Sequence, residues 1–346
     1  MTALPFLELS DVMRRAQGHT LGLLGFDPRE CAHRVVAATS FWCLRDYRGP
    51  DAGHPVLIVA APIKRPYIWD LAPAISPVRL LLKRGLHVYL LEWKPPPFVA
   101  AADGLAMYAD QAIAASVAWI TEWGGRAPFL IGHSLGGTLA AIYAALEPRR
   151  IRGLVLLGAP LCFQPHASTF RDAINVMAPL LLMQATTVPG SALSHLSALA
   201  SPGTFIWSRL IDEISSSGDH RAAEIFLRVE RWALDEVAVD GLLMRQVVQW
   251  LYQQDRLCRG TLRLGKTTVG PAMADVPALA VVNAADAIAP RACVQPFLSR
   301  MPGPDVGLLE FPGETRVGLQ HVALLVGPRA HAEVWPAIGD WIDARR

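Results

Sequence analysis

The chain has 346 residues, 52% of them hydrophobic and 18% charged, with a net charge of +2. That length and apolar content bury a large core and leave room for one big domain plus an insertion, and the mean hydropathy of +0.29 adds an inner cavity or exposed apolar surface to that core. The near-zero charge gives no footprint for nucleic acid, and no apolar run reaches membrane-spanning length: the most apolar part of the middle of the chain, Ile174 to Met183, is short and carries Pro179.

The start, Met1 to Arg15, carries acids and lacks a basic segment ahead of an apolar run, so no secretory leader is expected. The five cysteines, Cys31, Cys43, Cys162, Cys258 and Cys293, are scattered and form no Cys-x-x-Cys. Reduced thiols, a cytoplasmic location and no structural metal are the corresponding expectations. Val56 to Ala61 is an unbroken apolar run, the pattern of a strand buried on both faces. A helix closing over Leu81 to Gly85 leads into a strand at His87 to Trp93. The next helix falls between Leu105 and Trp123, with Ala112, Ile113, Val117, Trp119 and Ile120 at helical spacing. Ala127 to Ile131 and Ile151 to Leu157 are strands on either side of a buried helix, Thr138 to Leu146. Alternating strands and helices predict an α/β fold with a mostly parallel sheet.

The alternation breaks at Gly158-Ala159-Pro160. It resumes with a buried strand at Val276 to Val282, a last strand at Gly307 to Phe311 and a last helix at Ala330 to Ala344. The chain therefore divides into a first core part (1–160), a helical cap (161–275) and a second core part (276–346). A long insertion of this kind serves as a lid or a binding wall.

Between the strand ending at Ile131 and the helix beginning near Thr138 lies Gly132-His133-Ser134-Leu135-Gly136-Gly137, a G-x-S-x-G nucleophile elbow in its strand-turn-helix context. So sharp a turn needs neighbours without Cβ atoms, which Gly132 and Gly136 supply. His133 beside the nucleophile is expected to pack or hydrogen-bond beneath the turn. A serine hydroxyl needs a base to take its proton, and the base needs a third group to hold its tautomer. In this architecture the order is Ser, acid, His. No carboxylate follows the strand ending near Gly158. Past the next strand comes Asn283-Ala284-Ala285-Asp286, and past the last strand comes His321. Asp286 and His321 are thus the candidate acid and base, with His331 as the fallback base. The oxyanion needs two aimed N–H groups. Leu135 offers one. Ile63, in the loop after the first strand, offers the other, because Pro62 has no N–H. Lys64 and Arg65 in that loop could attract an anionic carrier group, but solvated surface is the expected reading for both.

Several separate stretches are similar to the polyhydroxyalkanoate synthases and their α/β-hydrolase relatives. Between Val56 and Pro97 these are Arg65-Pro66-Tyr67-Ile68-Trp69-Asp70-Leu71, Ser76-Pro77-Val78-Arg79 and Gly85 to Trp93. Further on they are Arg231-Trp232 with Asp235, Trp250-Leu251-Tyr252 with Asp255, Leu257 and Gly260, and Asp286-Ala287-Ile288-Ala289-Pro290. The resemblance implies an α/β-hydrolase fold with a helical cap, His321 at the catalytic histidine, and affinity for acyl or hydroxyacyl groups. It also implies a cysteine nucleophile where this chain has Ser134. Thiolates suit thioester exchange, whereas a serine acyl-ester is the usual intermediate of esterases and thioesterases. The expectation is therefore a serine hydrolase of acyl esters or thioesters, with an acyltransferase of the polyester-synthase kind as the alternative and a non-catalytic granule- or partner-binding protein as the second. No cofactor or metal is expected. CoA or a carrier pantetheine would enter as part of the substrate, with an acyl carrier protein as a candidate partner. A homodimer is the oligomer that the resemblance implies.

Overall fold

A strand buried on both faces sends alternate side chains into two separate apolar layers. The run Pro55–Val59 does so: Leu57 and Val59 join one core cluster, and Val56 and Ile58 the other. The computed structural model describes residues 4–48, 53–95, 103–182, 185–303 and 305–346. Pro97, the end of the first stretch of family resemblance, lies outside them. The sheet strands in chain order are β1 (Arg34–Ala38), β2 (Trp42–Tyr47), β3 (Pro55–Val59), β4 (His87–Trp93), β5 (Phe129–His133), β6 (Gly153–Leu157), β7 (Ala278–Asn283) and β8 (Val306–Phe311). They form one 8-stranded sheet in the order β1-β2-β4-β3-β5-β6-β7-β8. Every pairing from β4 to β8 is parallel, while β1 with β2 and β2 with β4 are antiparallel.

Helix α1 (Leu4–Leu21) opens the chain, and the core helices α2 (Pro77–Lys83), α3 (Ala112–Gly124) and α4 (Leu135–Leu146) follow. α3 and α4 cover one face of the sheet. α2 covers the other together with the last helix (Pro328–Asp343). The hairpin of β1 and β2 went unread in the sequence: β1 is an edge strand with no buried residue, and its short run Val35 to Ala38 is not marked off by the strand-helix alternation that identifies the others.

The alternation is interrupted between β6 and β7. This segment carries α5 (Thr169–Leu182), α6 (Gly190–Ala200), α7 (Ser208–Ser216), α8 (His220–Leu234) and α9 (Gly241–Gln246). It also carries two small antiparallel ribbons, Thr187–Val188 with Val239–Asp240 and Leu262–Leu264 with Thr267–Val269. α1 lies against these helices. Its Asp11 carboxylate accepts from the backbone N–H of Ser191 at 2.7 Å and of Gly190 at 3.2 Å, satisfying the N-terminus of α6.

One expectation is corrected. Cys162 and Cys258 are joined in a disulfide across 96 residues, with Cα atoms 4.9 Å apart. Spacing along the chain carries no trace of this pair, because folding alone brings the loop after β6 onto the short helix Arg256–Arg259. Cys31, Cys43 and Cys293 are free thiols. Among the described residues no helix is long and apolar enough to cross a membrane.

Candidate active site

The turn at Ser134 is strained, and the strain is held from both sides. Ser134 sits at φ 55 and ψ −134, which a non-glycine residue adopts only when its surroundings impose it. Its N–H donates to Leu157 O at 3.0 Å, and its carbonyl receives the N–H of Thr138 at 3.1 Å. A Cβ on Gly132 would lie 2.5 Å from the Cα of Gly137, and one on Gly136 would lie 2.2 Å from the carbonyl oxygen of Val59. The second contact has a further effect. It presses the start of α4 against the end of β3, so the loop after β3 arrives beside Ser134.

Asp286 follows β7 and is anchored by its own loop: its N–H donates to Asn283 O at 3.0 Å, and its Oδ1 accepts from the N–H of Ile288 at 2.8 Å. Oδ2 receives Nδ1–H of His321 at 2.7 Å. Burial pushes the Asp286 carboxyl up, but the His321 ring beside it and these hydrogen bonds outweigh that and hold it below the ordinary aspartate value. His321 stands in the short turn Gln320–Val322 after β8. With Nδ1 committed to the carboxylate, its Nε2 is buried and has no hydrogen-bond partner among the described residues. Ser134 and His321 line the same cavity of about 330 Å³. His133 lies under the turn, where its Nε2–H donates to the carbonyl of His321 at 2.7 Å. Burial, then the neighbouring His321 ring, push its pKa down to about 3, so it is a neutral donor that fixes the backbone of His321. His331 is turned away to Leu325 O, at 2.6 Å.

The loop Ala60 to Pro66 brings Ile63 to the cavity wall and is pinned along its length. The Trp93 indole donates to Ala60 O at 2.6 Å, and the Trp232 indole to Arg65 O at 2.8 Å. Lys64 Nζ donates to Glu236 Oε2 at 2.7 Å and to Ala233 O at 2.6 Å. Arg14 of α1 and the hydroxyl of Ser194 each reach Glu236 Oε1 at 2.7 Å. Glu236 is fully enclosed, and the cations around it hold it ionised against the cost of burial. The solvated reading of Lys64 is thereby corrected: the cap covers it, and its charge is spent on Glu236. Arg65 remains partly exposed and faces Asp235 at 3.7 Å. Sequence reasoning missed Glu236, Arg14, Ser194 and His195, the last of which also lines the cavity. None sits in a local motif, since they reach the site from three places far apart in the chain: α1, α6 and the end of α8.

A family model described as alpha/beta hydrolase fold matches residues 92–199. The chain is 31% identical over 295 residues to the poly(3-hydroxyalkanoate) polymerase subunit PhaC of Haloferax mediterranei, spanning 84% of this chain and 59% of that one. It is 28% identical to the subunit of the same name from Allochromatium vinosum, over 93% of this chain and 90% of that one. The chain is similar to the polyhydroxyalkanoate synthases and has an α/β-hydrolase fold. It spans about three fifths of the length of the haloarchaeal relatives, 59% and 61%. Among solved structures, a monoglyceride lipase variant from Saccharomyces cerevisiae superposes with a TM-score of 0.60 at 13% identity, covering 92% of this chain and 96% of that one. The monoacylglycerol lipase of Paleococcus ferrophilus gives 0.55 at 19%, covering 88% and 98%. Both likenesses are of fold.

The residues that mark the chain as synthase-like meet in space. Tyr67 Oη donates to Asp235 at 3.1 Å, Arg231 donates to the same hydroxyl at 3.1 Å, and Trp232 holds Arg65 O. Asp70 accepts from Ser76 Oγ at 2.6 Å and faces Arg79 at 3.5 Å. Asp255 accepts from the N–H of Phe163 at 2.7 Å. Tyr67, Arg231, Trp232 and Asp235 thus join the segment between β6 and β7 to the loop after β3, whereas Asp70 braces the start of α2 and Asp255 the loop after β6.

Proposed function

We propose that the chain is an acyltransferase of the polyester-synthase kind, passing an acyl or hydroxyacyl group from a thioester or ester through Ser134 to a hydroxyl acceptor. Enzyme status and acyl-transfer chemistry belong to the family. The choice of transfer over hydrolysis rests on one observation: the curated relatives that match most of the chain are polymerase subunits. The hydrolase expected from the serine alone therefore gives way to the alternative.

The arrangement supports the following course. Ser134 Oγ attacks the acyl carbonyl carbon, its proton passes to Nε2 of His321, and Asp286 stabilises the imidazolium. The N–H groups of Leu135 and Ile63 receive the oxyanion. As the carbonyl–sulfur or carbonyl–oxygen bond breaks, His321 protonates the leaving group. The acceptor hydroxyl then gives its proton to His321 and attacks the acyl-serine, and Ser134 Oγ leaves with that proton. CoA or a carrier pantetheine is the proposed leaving group, and a homodimer is the proposed assembly.

The test is a mass-spectrometric product assay with 3-hydroxybutyryl-CoA and a medium-chain acyl-CoA, with Ser134→Ala as control. Ester-linked oligomers or acylated acceptor are expected. Free acid and CoA alone would make water the acceptor and return the chain to the hydrolases.

A further inference from the structure

Ser134 stands on the wall between two chambers. The larger is the cavity of about 330 Å³ that holds His321. The smaller, about 100 Å³, lies on the other side of the nucleophile. Ile63, Ser134, Leu193, Ser197 and Ile288 line both, so the two chambers adjoin along a wall that includes the nucleophile. They differ in what else they touch. His321 borders only the larger, and Leu135 borders only the smaller. Charged side chains, among them Arg14, Lys64 and Arg209, line the larger chamber, whereas among the described residues no charged one lines the smaller.

The asymmetry orients the substrate. A base that protonates the leaving group and deprotonates the acceptor must face both, so both belong in the chamber with His321. The acyl carbonyl is held toward the Leu135 and Ile63 N–H groups, and the tail beyond it continues to the smaller side. That side is apolar, walled by Ile174 and Ala178 of α5, by Met244 of α9 with Val248 beyond it, and by Phe163, whose ring packs on Tyr252 at 4.6 Å between centroids. An apolar cavity of roughly 150 Å³ takes six carbons as benzene, so about 100 Å³ takes about four.

We propose that the smaller chamber is the acyl-tail pocket, that it admits about four carbons, and that Met244 and Ala178 set this limit. The proposal rests on the acyl-serine reading above and adds to it the length of the group carried.

The test follows acylation of Ser134 itself, by intact mass and the 4-nitrophenol burst, with 4-nitrophenyl acetate, butyrate, hexanoate and octanoate. Acylation is expected to be fastest at butyrate or hexanoate and to fall at least tenfold by octanoate, in line with the tenfold or greater penalty a hydrophobic pocket sets on one misfit methylene. Met244→Ala should move the optimum about two carbons longer, and Ala178→Val should move it shorter. The two variants err in opposite directions, so a general loss of folding cannot mimic the pair. A flat profile, or an optimum that neither variant moves, overturns the tail pocket while the nucleophile stands. No acylation by any ester overturns both.

Discussion

Of the three glycines in the elbow, Gly136 is the one at which steric limits are tightest. A methyl group there meets the carbonyl of Val59, part of the backbone that leads into the Ile63 loop, and neither wall can give. Gly136→Ala is expected to cost roughly 3–5 kcal/mol and to abolish reaction of Ser134 with a fluorophosphonate in whatever folds. Near-wild-type stability in urea would mean the elbow tolerates a side chain. Ser134→Ala, Asp286→Asn and His321→Ala should each lower turnover about 10³-fold or more, and combining them should add little, because the three act as one unit. Additive losses would separate their roles. The elbow was legible because strand, turn and helix are contiguous in the chain. Asp286 and His321 were nominated by the order of elements; in the structure His321 lines the cavity of Ser134 and Asp286 stands behind it, 2.7 Å from its Nδ1. Glu236 was not, because nothing near it in sequence distinguishes a buried carboxylate from a solvated one.

At the scale of elements, Glu236 ties α1, the loop after β3, α6 and the end of α8 at one point. Glu236→Gln leaves Arg14 and Lys64 covered without a counter-charge. A loss of about 3–5 kcal/mol is expected from breaking a buried pair by removing one partner. If Ile63 donates to the oxyanion, kcat should fall more than KM rises, and a change confined to KM would place the loop outside the chemistry. The disulfide acts on the same region, since Cys162 adjoins Phe163 in the wall of the smaller chamber and Cys258 follows Tyr252 in that wall. Closing a loop of 96 residues is worth roughly 2–4 kcal/mol. The double variant Cys162→Ser, Cys258→Ser should lose that much in denaturant unfolding, and reductant should leave the variant unchanged while destabilising the native chain. Strands β3 to β8 were readable from their apolar runs. The hairpin of β1 and β2 and the seating of α1 were not, because α1 takes its place from contacts with α6 and α8, far along the chain, and β1 lies at the sheet edge.

Over the whole molecule, pH acts through groups that folding holds away from their ordinary state. Native His133 stays neutral down to about 3, whereas in the unfolded chain it takes a proton near 6.5. The unfolded state therefore binds more protons in this interval, and stability should fall as pH drops from 6.5 toward 3. Asp286, held below its ordinary value of 3.8, adds a second loss at the acid end, as its carboxylate is protonated. Urea midpoints measured from pH 7 to pH 4 check this, with His133→Asn expected to flatten the upper part of the curve. An unchanged slope in that variant would assign the acid sensitivity elsewhere.

The pairing of β7 with β6 also has a meaning in time. Ala278 lies beside Leu154 in register, yet the entire cap is synthesised between the two strands. At about 5–20 residues per second a ribosome takes several seconds to bridge that gap. Throughout, the apolar edge of β6 stands open on a half-built sheet, and Ser134 waits on its turn with neither Asp286 nor His321 yet made. The chain's yield in a cell should therefore depend on chaperones that shield unpaired strands, and slow codons placed just after β6 should lower that yield more than the same codons placed after β7.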